Sequence, residues 1–343
     1  MFVCLPHAED FKLLAVDAKH LSKTFQTNQG SVEAVKDVSF FVKSGEVFGI
    51  LGPNGAGKST TILMLATLLK MTSGSAQIFG LAIGHDDERI RQKIGVALQD
   101  TGIDEMLTAR ELLESTGRLW GLSKNDTSSR SKHLLKLVGL TDAADRRVKT
   151  YSGGMKRRLD LGLSLVHEPQ VLFLDEPTTG LDPSSRRVLW DEILRLRESG
   201  VTIILTTQYL EEADELVDRI AIIHQGLVVA EGTPDELKAS IGGDVLTFSF
   251  ASEEITKQAS DIVPDSEIFL TDLKITVKDG PRIVPEFCSK FTNAGIEVSA
   301  VSLSKPTLDD VFLDVTGFTL EGADEDTKIS FLKSNEKEVS NDV

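Results

Sequence analysis

The chain has 343 residues, 41% of them hydrophobic and 26% charged, enough to build one large globular domain and a smaller one. Its net charge of −16 excludes broad attraction to nucleic-acid phosphate or anionic lipid, and no apolar run reaches the roughly 18 to 20 residues that span a bilayer. Cys4 and Cys288 stand far apart without metal-like spacing, which excludes a disulfide framework and fits a reduced compartment.

The opening "MFVCLPHAEDFK" lacks the basic start and small-residue cleavage site of a secretory signal. The first strongly informative segment is "VFGILGPNGAGKSTTILMLATLL". Residues 47–51 form a short apolar run that predicts a buried strand, and residues 60–69 predict a mostly apolar helix. Between them, Gly52, Pro53, Asn54, Gly55, Ala56, Gly57, Lys58 and Ser59, followed by Thr60, satisfy the pattern G-x-x-x-x-G-K-[ST]. Strand, glycine loop and helix is the context that turns this pattern into a phosphate cradle. Residues without a Cβ let successive N–H groups converge on phosphate oxygens, and the helix start adds its positive end. Lys58 suits the β- and γ-phosphates, and the Ser59 hydroxyl suits Mg²⁺.

Residues 107–148 are helix-rich: "TARELLESTGRLWGL" sets Leu112, Leu113, Leu119 and Trp120 at helical spacing, with Trp120 expected in the core, and "SKHLLKLVGL" repeats the habit. "TYSGGMKRRLDLGLSL" then places Ser152, Gly153 and Gly154 at the start of a further helix, a second anion-binding surface. In "QVLFLDEP" the apolar run 171–174 predicts a buried strand ending in Asp175 and Glu176, at the edge where open α/β sheets bind ligands. Asp175 suits a metal, and Glu176 a base that orients water for in-line attack. Pro183 opens a helix carrying Leu189, Ile193 and Leu196. Residues 201–205 read as one more buried strand, and Leu210, Ala213, Leu216 and Val217 as one face of a helix. The polar patch Thr206-Thr207-Gln208 lies between them.

From 245 to 317, "VLTFSF", "KITVKD", a helix around 285–294, "EVSAVSL" and "TLDDVFLDVTG" predict a small α+β module. Thr307 reads as an N-cap, with Asp310 completing a capping box. Residues 319–343 carry Glu321, Asp324, Glu325, Asp326, Glu336, Glu338 and Asp342 against Lys328, Lys333 and Lys337, the composition of an acidic tail expected to be disordered. The six histidines are scattered and form no metal or triad pattern.

These motifs, in this order, resemble the ATP-binding subunits of ABC transporters over roughly residues 14–232. "YSGGMKRRLD", "FLDEPTTGLDP", "TTQYLEEAD" and the late "TLDDVFL" are most similar to the daunorubicin-resistance branch, which serves antibiotic and multidrug exporters. The resemblance implies an α/β fold of the ABC-type P-loop NTPase, with a RecA-like core and a helical subdomain at about 105–150. An ATP-binding domain over 1–238, an accessory C-terminal module over 239–318 and the tail 319–343 follow from it. It implies ATP and Mg²⁺ as ligands and a head-to-tail dimer in which the Ser152-Gly153-Gly154 loop of one subunit closes on ATP held by the other. A separate transmembrane permease is implied as partner, contacted through the helical subdomain, with this chain peripheral at the cytoplasmic face of the membrane.

Residue by residue, the resemblance assigns Phe25 in "HLSKTF" to stacking on adenine and Gln99 in "GVALQD" to the Mg²⁺ or the attacking water. It assigns Asp182 in "GLD" to bracing the dimer interface. Gln208 stands where most of the family has a histidine that senses the γ-phosphate. An amide can donate to a phosphate oxygen but cannot take up a proton, which leaves Glu176 as the base. Two other readings stay open on the sequence: a non-transport ATPase of this fold acting on ribosomes or DNA, and a nucleotide-binding regulator with weak hydrolysis. The single ATPase unit and the absence of a basic stripe argue against the first; Gln208 motivates the second.

Overall fold

A computed structural model describes residues 14–27, 30–99, 102–263, 266–278 and 280–317. It divides into two compact units at Glu231/Gly232. In the first, two long antiparallel strands, β1 (Leu14–Thr27) and β2 (Gly30–Lys43), run in register from Leu14 opposite Lys43 to Thr27 opposite Gly30, with bulges between. Alternating Val38, Phe40 and Val42 turn inward, as a half-buried strand requires.

The apolar run expected as a strand is β3 (Val47–Leu51), buried at every residue. Helix α1 (Lys58–Leu65) follows the glycine loop. It ends earlier than residue 69, because Thr67 turns into the left-handed region (φ 59°) and the N–H groups of Leu68 and Leu69 both return to the carbonyl of Leu63. Next come β4 (Ser73–Ile78), β5 (Leu81–Ala82), α2 (Asp87–Arg91) and β6 (Ile94–Ala97).

The helix-rich segment supplies α3 (Ala109–Leu119) and α4 (Lys124–Leu137). Thr108 and Glu111 form a reciprocal capping box at the start of α3, and Ser123 caps α4. Leu112 and Leu113 are buried, but Leu119 is 87% and Trp120 42% exposed. Trp120 is therefore not a core residue: it sits at the C-cap of α3 and stacks on His167, ring centroids 4.0 Å apart.

The chain continues through α5 (Gly153–Ser164), β7 (Val171–Asp175), α6 (Pro183–Glu198), β8 (Thr202–Thr207), α7 (Leu210–Leu216), β9 (Arg219–His224) and β10 (Leu227–Gly232). The ten strands form one sheet in the order β5-β4-β1-β2-β10-β9-β3-β8-β7-β6. Strands β9, β3, β8, β7 and β6 are parallel neighbours, with Leu51 opposite Thr207 and Asp175 opposite Thr206. This register brings the carboxyl ends of β3, β7 and β8 to one line, where parallel sheets bind ligands.

The second unit holds α8 (Pro234–Ile241), β11 (Asp244–Ser249), α9 (Glu253–Ser260), β12 (Glu267–Phe269), β13 (Asp272–Val277), α10 (Gly280–Asn293), β14 (Ala300–Ser304) and α11 (Leu308–Thr316). Its four strands form a sheet of order β12-β13-β11-β14 over a core of Leu246, Phe248, Leu273, Phe291 and their neighbours. The division falls ahead of residue 238 because α8 packs on α11. The capping box of Thr307 and Asp310 is present in full. Helix α10 starts at Gly280 and carries Pro285 inside it, earlier than the sequence pattern suggested. The acidic stretch 319–343 lies outside the described residues.

Candidate active site

The glycine loop leads from the end of β3 into α1. Gly57 is the N-cap of α1 with φ 106°, and a Cβ there would come within 2.5 Å of the Ala34 carbonyl oxygen, so no other residue fits. Pro53 and Ala56 are buried, Asn54 and Gly55 exposed, and Ser59 and Thr60 half-buried. Lys58 is buried; its Nζ donates to the carbonyls of Gly52 at 2.8 Å and Pro53 at 3.1 Å and lies 3.2 Å from Glu176 Oε1. The loop thus folds its lysine back over itself and onto the carboxylate at the end of β7.

Asp175 closes β7, and its Oδ1 accepts the hydroxyl protons of Ser59 at 2.9 Å and Thr206 at 2.5 Å. Glu176 follows in the left-handed region, φ 45°. Its N–H donates to Thr206 Oγ1 at 2.9 Å, and its Oε2 accepts from Thr179 Oγ1 at 3.2 Å. Lys58, Ser59, Asp175 and Glu176 are thus one contiguous cluster. A serine hydroxyl beside a single carboxylate is a hard-oxygen donor pair that suits Mg²⁺, an ion that takes one or two carboxylates together with phosphate oxygens. Gln208 follows β8 directly, half-buried, at the same end of the sheet.

Other residues named from the sequence sit on separate elements. Phe25 is on β1, opposite Val32, with 38% of its surface exposed and Lys23 Nζ 5.1 Å from the ring centroid. Gln99 lies just past β6 and is exposed. Ser152 caps α5, accepting the Met155 N–H at 3.3 Å, behind the buried Tyr151, whose hydroxyl donates to the Ala143 carbonyl at 2.6 Å. A Cβ on Gly153 would meet open space, whereas one on Gly154 would lie 2.8 Å from Ser185 Oγ and 2.9 Å from its Cβ. Of this pair, only Gly153 is open to an approaching ligand; Gly154 is glycine because α6 begins against it. Asp182 caps α6, accepting the N–H groups and hydroxyls of Ser184 and Ser185, and these bonds, those from the hydroxyls foremost, hold its carboxyl well below the usual carboxylate range.

Three buried polar residues at this end of the sheet lie within the strings "YSGGMKRRLD" and "TTQYLEEAD", which assign them no role. Thr206 bridges the two acids. Arg157 on α5 donates to the carbonyls of Leu98, of Asp175 at 2.6 Å and of Pro177 at 2.9 Å. Glu212 on α7 accepts Trp190 Nε1–H at 3.2 Å, and burial pushes its carboxyl above the usual range. A period-2 apolar strand or a charged helix does not announce such residues; only their partners do.

A phosphate loop on a parallel sheet, with a lysine, a hydroxyl and paired acids converging at one end, defines a nucleoside-triphosphate hydrolase of the cassette class. A family model described as ABC transporter matches residues 35–179, and one described as the DrrA1-3-like ATP-binding protein C-terminal domain matches 232–316. The daunorubicin/doxorubicin resistance ATP-binding protein DrrA of Streptomyces peucetius is 43% identical over 312 residues, 88% of this chain and 92% of that one. The linearmycin resistance ATP-binding protein LnrL of Bacillus subtilis is 38% identical over 89% of this chain and 99% of its own length. Among solved structures, the dimeric post-hydrolysis state of the ATP-binding cassette MJ0796 bound to ADP and Pi is similar, with a TM-score of 0.59 and 28% identity over 64% of this chain and 98% of that one. The chain belongs to the ABC transporter ATP-binding proteins of the DrrA type and is an ATPase.

Proposed function

We propose that this ATPase drives efflux of a drug, antibiotic or other lipophilic compound through a separate membrane permease, by ATP-dependent closure of a dimer of ATP-binding subunits. The observation that carries the reading is the cluster of Lys58, Ser59, Asp175 and Glu176 at the end of the parallel sheet, in a chain whose relatives are named as resistance proteins. No helix of the described residues is long and apolar enough to cross a membrane. In this reading the membrane path belongs to the partner, and this chain sits peripherally at the cytoplasmic face.

In this reading the loop from Gly52 to Gly57 cradles the phosphates with its N–H groups, Thr60 adds the helix start, and Phe25 stacks on the base. Lys58 moves from its present carbonyl partners to the β- and γ-phosphates. Ser59 and Asp175, with Gln99 at the rim, would hold Mg²⁺, which when bound neutralises charge developing on the phosphoryl group. Glu176 orients the water, and Gln208 donates its amide N–H to the γ-phosphate. Ser152 and Gly153 of the twin subunit complete the cradle, and Asp182 keeps the start of α6 against that loop. Positioning and fixed charge supply most of the rate, since phosphoryl transfer leaves little covalent work to the protein.

The test is a pair of variants in the full chain together with its membrane partner. Lys58→Ala is expected to abolish nucleotide binding. Glu176→Gln is expected to bind ATP, lose turnover and accumulate as a dimer. Normal hydrolysis by the lysine variant would overturn the phosphate-loop reading. Failure of any polytopic membrane protein to co-purify from solubilised membranes would overturn the transport reading.

A further inference from the structure

One side chain of the helix that carries the Ser152-Gly153-Gly154 loop bonds to the hydrolytic end of its own subunit. Arg157 lies one turn into α5 and is buried. Its Nη1 donates to the carbonyl of Leu98, the residue before Gln99. Its Nη2 donates to the carbonyl of Asp175 at 2.6 Å, and its Nε to that of Pro177 at 2.9 Å, so that the carbonyls of the residues before and after Glu176 are both held. Asp160, one turn further along α5, faces the guanidinium at 3.6 Å and supplies the counter-charge. Three carbonyls from two separate segments thus converge on one planar fork of donors, a geometry that the compact ammonium of lysine cannot match.

We propose that Arg157 is a positioning residue for hydrolysis: it fixes Gln99 and Glu176 relative to α5, so that the placement of the Ser152-Gly153-Gly154 loop and the placement of the water-orienting carboxylate are one and the same. Glu176 is held in a left-handed backbone conformation that a non-glycine residue keeps only when its surroundings impose it, and Arg157 grips the carbonyl on either side of that residue. None of its bonds reaches the phosphate loop directly, so its loss is felt in turnover and not in nucleotide capture. The inference rests on the reading of Glu176 as the base.

The experiment compares wild type, Arg157→Lys, Arg157→Gln and Glu176→Gln in the full-length chain, measuring ATP affinity, ATPase kcat and KM, and thermal unfolding. Arg157→Lys keeps a charge beside Asp160 and guards against the case in which Arg157→Gln does not fold. The expected result is a kcat lowered at least tenfold in Arg157→Lys, with ATP affinity within about threefold of wild type and an unchanged melting temperature. Wild-type kcat in Arg157→Lys overturns the proposal. So does a loss of kcat matched by equal losses of affinity and melting temperature, since that is the signature of a merely structural arginine. Wild-type turnover in Glu176→Gln would instead remove the base assignment, whatever the arginine variants do.

Discussion

Thr206 and Asp175 stand opposite each other in neighbouring parallel strands, and the Thr206 hydroxyl donates to Asp175 Oδ1 at 2.5 Å while accepting the Glu176 N–H at 2.9 Å. One hydroxyl thereby aims the carboxylate proposed for the metal and anchors the peptide that presents the proposed base. Thr206→Val keeps the shape and removes both bonds. A buried hydrogen bond is worth about 1 kcal/mol, roughly a fivefold change in rate, so the loss of two is worth about tenfold or somewhat more. Turnover is expected to fall about tenfold, with Thr206→Ser retaining most of it, and ATP affinity is expected to stay within about threefold. Steady-state ATPase assays beside equilibrium binding check this.

The two glycines of the Ser152 loop should respond oppositely to a methyl group. Gly154→Ala presses on Ser185, and overpacking of this kind costs about 1 to 3 kcal/mol. Gly153→Ala meets open space and should leave melting unchanged, while lowering turnover if this exposed loop closes on the twin subunit's nucleotide as proposed. Differential scanning calorimetry and ATPase measurements on both variants separate the effects. Gly154→Ala should cost less in a Ser185→Gly background than in wild type, a coupling read from a double-mutant cycle because Ser185→Gly alone removes a bond to Asp182.

Gln208 makes a prediction about pH. An amide does not titrate, so wild-type turnover should show no step attributable to this position. Gln208→His should add one near the ordinary imidazole value of about 6.5, and Gln208→Ala should lower turnover without adding a step. The kcat profile from pH 5.5 to 8.5, roughly the span over which an imidazole titrates, is the measurement.

Asp160 gives a second, distinct pH effect, this time on stability. Burial, opposed by Arg157, pushes its carboxyl up to about 6, above the ordinary 3.8. As pH rises through this window the unfolded chain gives up its proton first, so ionisation favours unfolding. The group's contribution is fully present below about pH 4 and is lost by the time pH passes about 6, on the order of 3 kcal/mol. Asp160→Asn should flatten that descent, and urea unfolding at pH 4.5 and 7 compares the slopes.

The phosphate loop, the strand that enters it, and the acids that end β7 were legible residue by residue, as was the capping box of Thr307 and Asp310. Each depends on neighbours within a few positions along the chain. The patch Thr206-Thr207-Gln208 shows the limit. It read as polar residues between a strand and a helix, yet Thr206 and Thr207 are buried within β8. Their hydroxyls are tolerated there because each has a partner, Asp175 on the neighbouring strand for Thr206 and the N–H of Tyr209 for Thr207. Trp120 failed in the other direction: helical spacing suggested core, but α3 ends under it and leaves its ring on the surface, stacked on His167.

The sequence by itself determined the class of chemistry, because a phosphate cradle is made of consecutive backbone N–H groups, and its residue types are dictated where they stand. Tertiary structure alone decided how that cradle is supported. The register of β7 with β8 sets Thr206 on Asp175, and the docking of α5 sets Arg157 on carbonyls 59 and 18 to 20 residues away. A hydrogen bond acts through space, over about 3 Å, and the chain says which groups can form it but not which groups the fold will bring within reach.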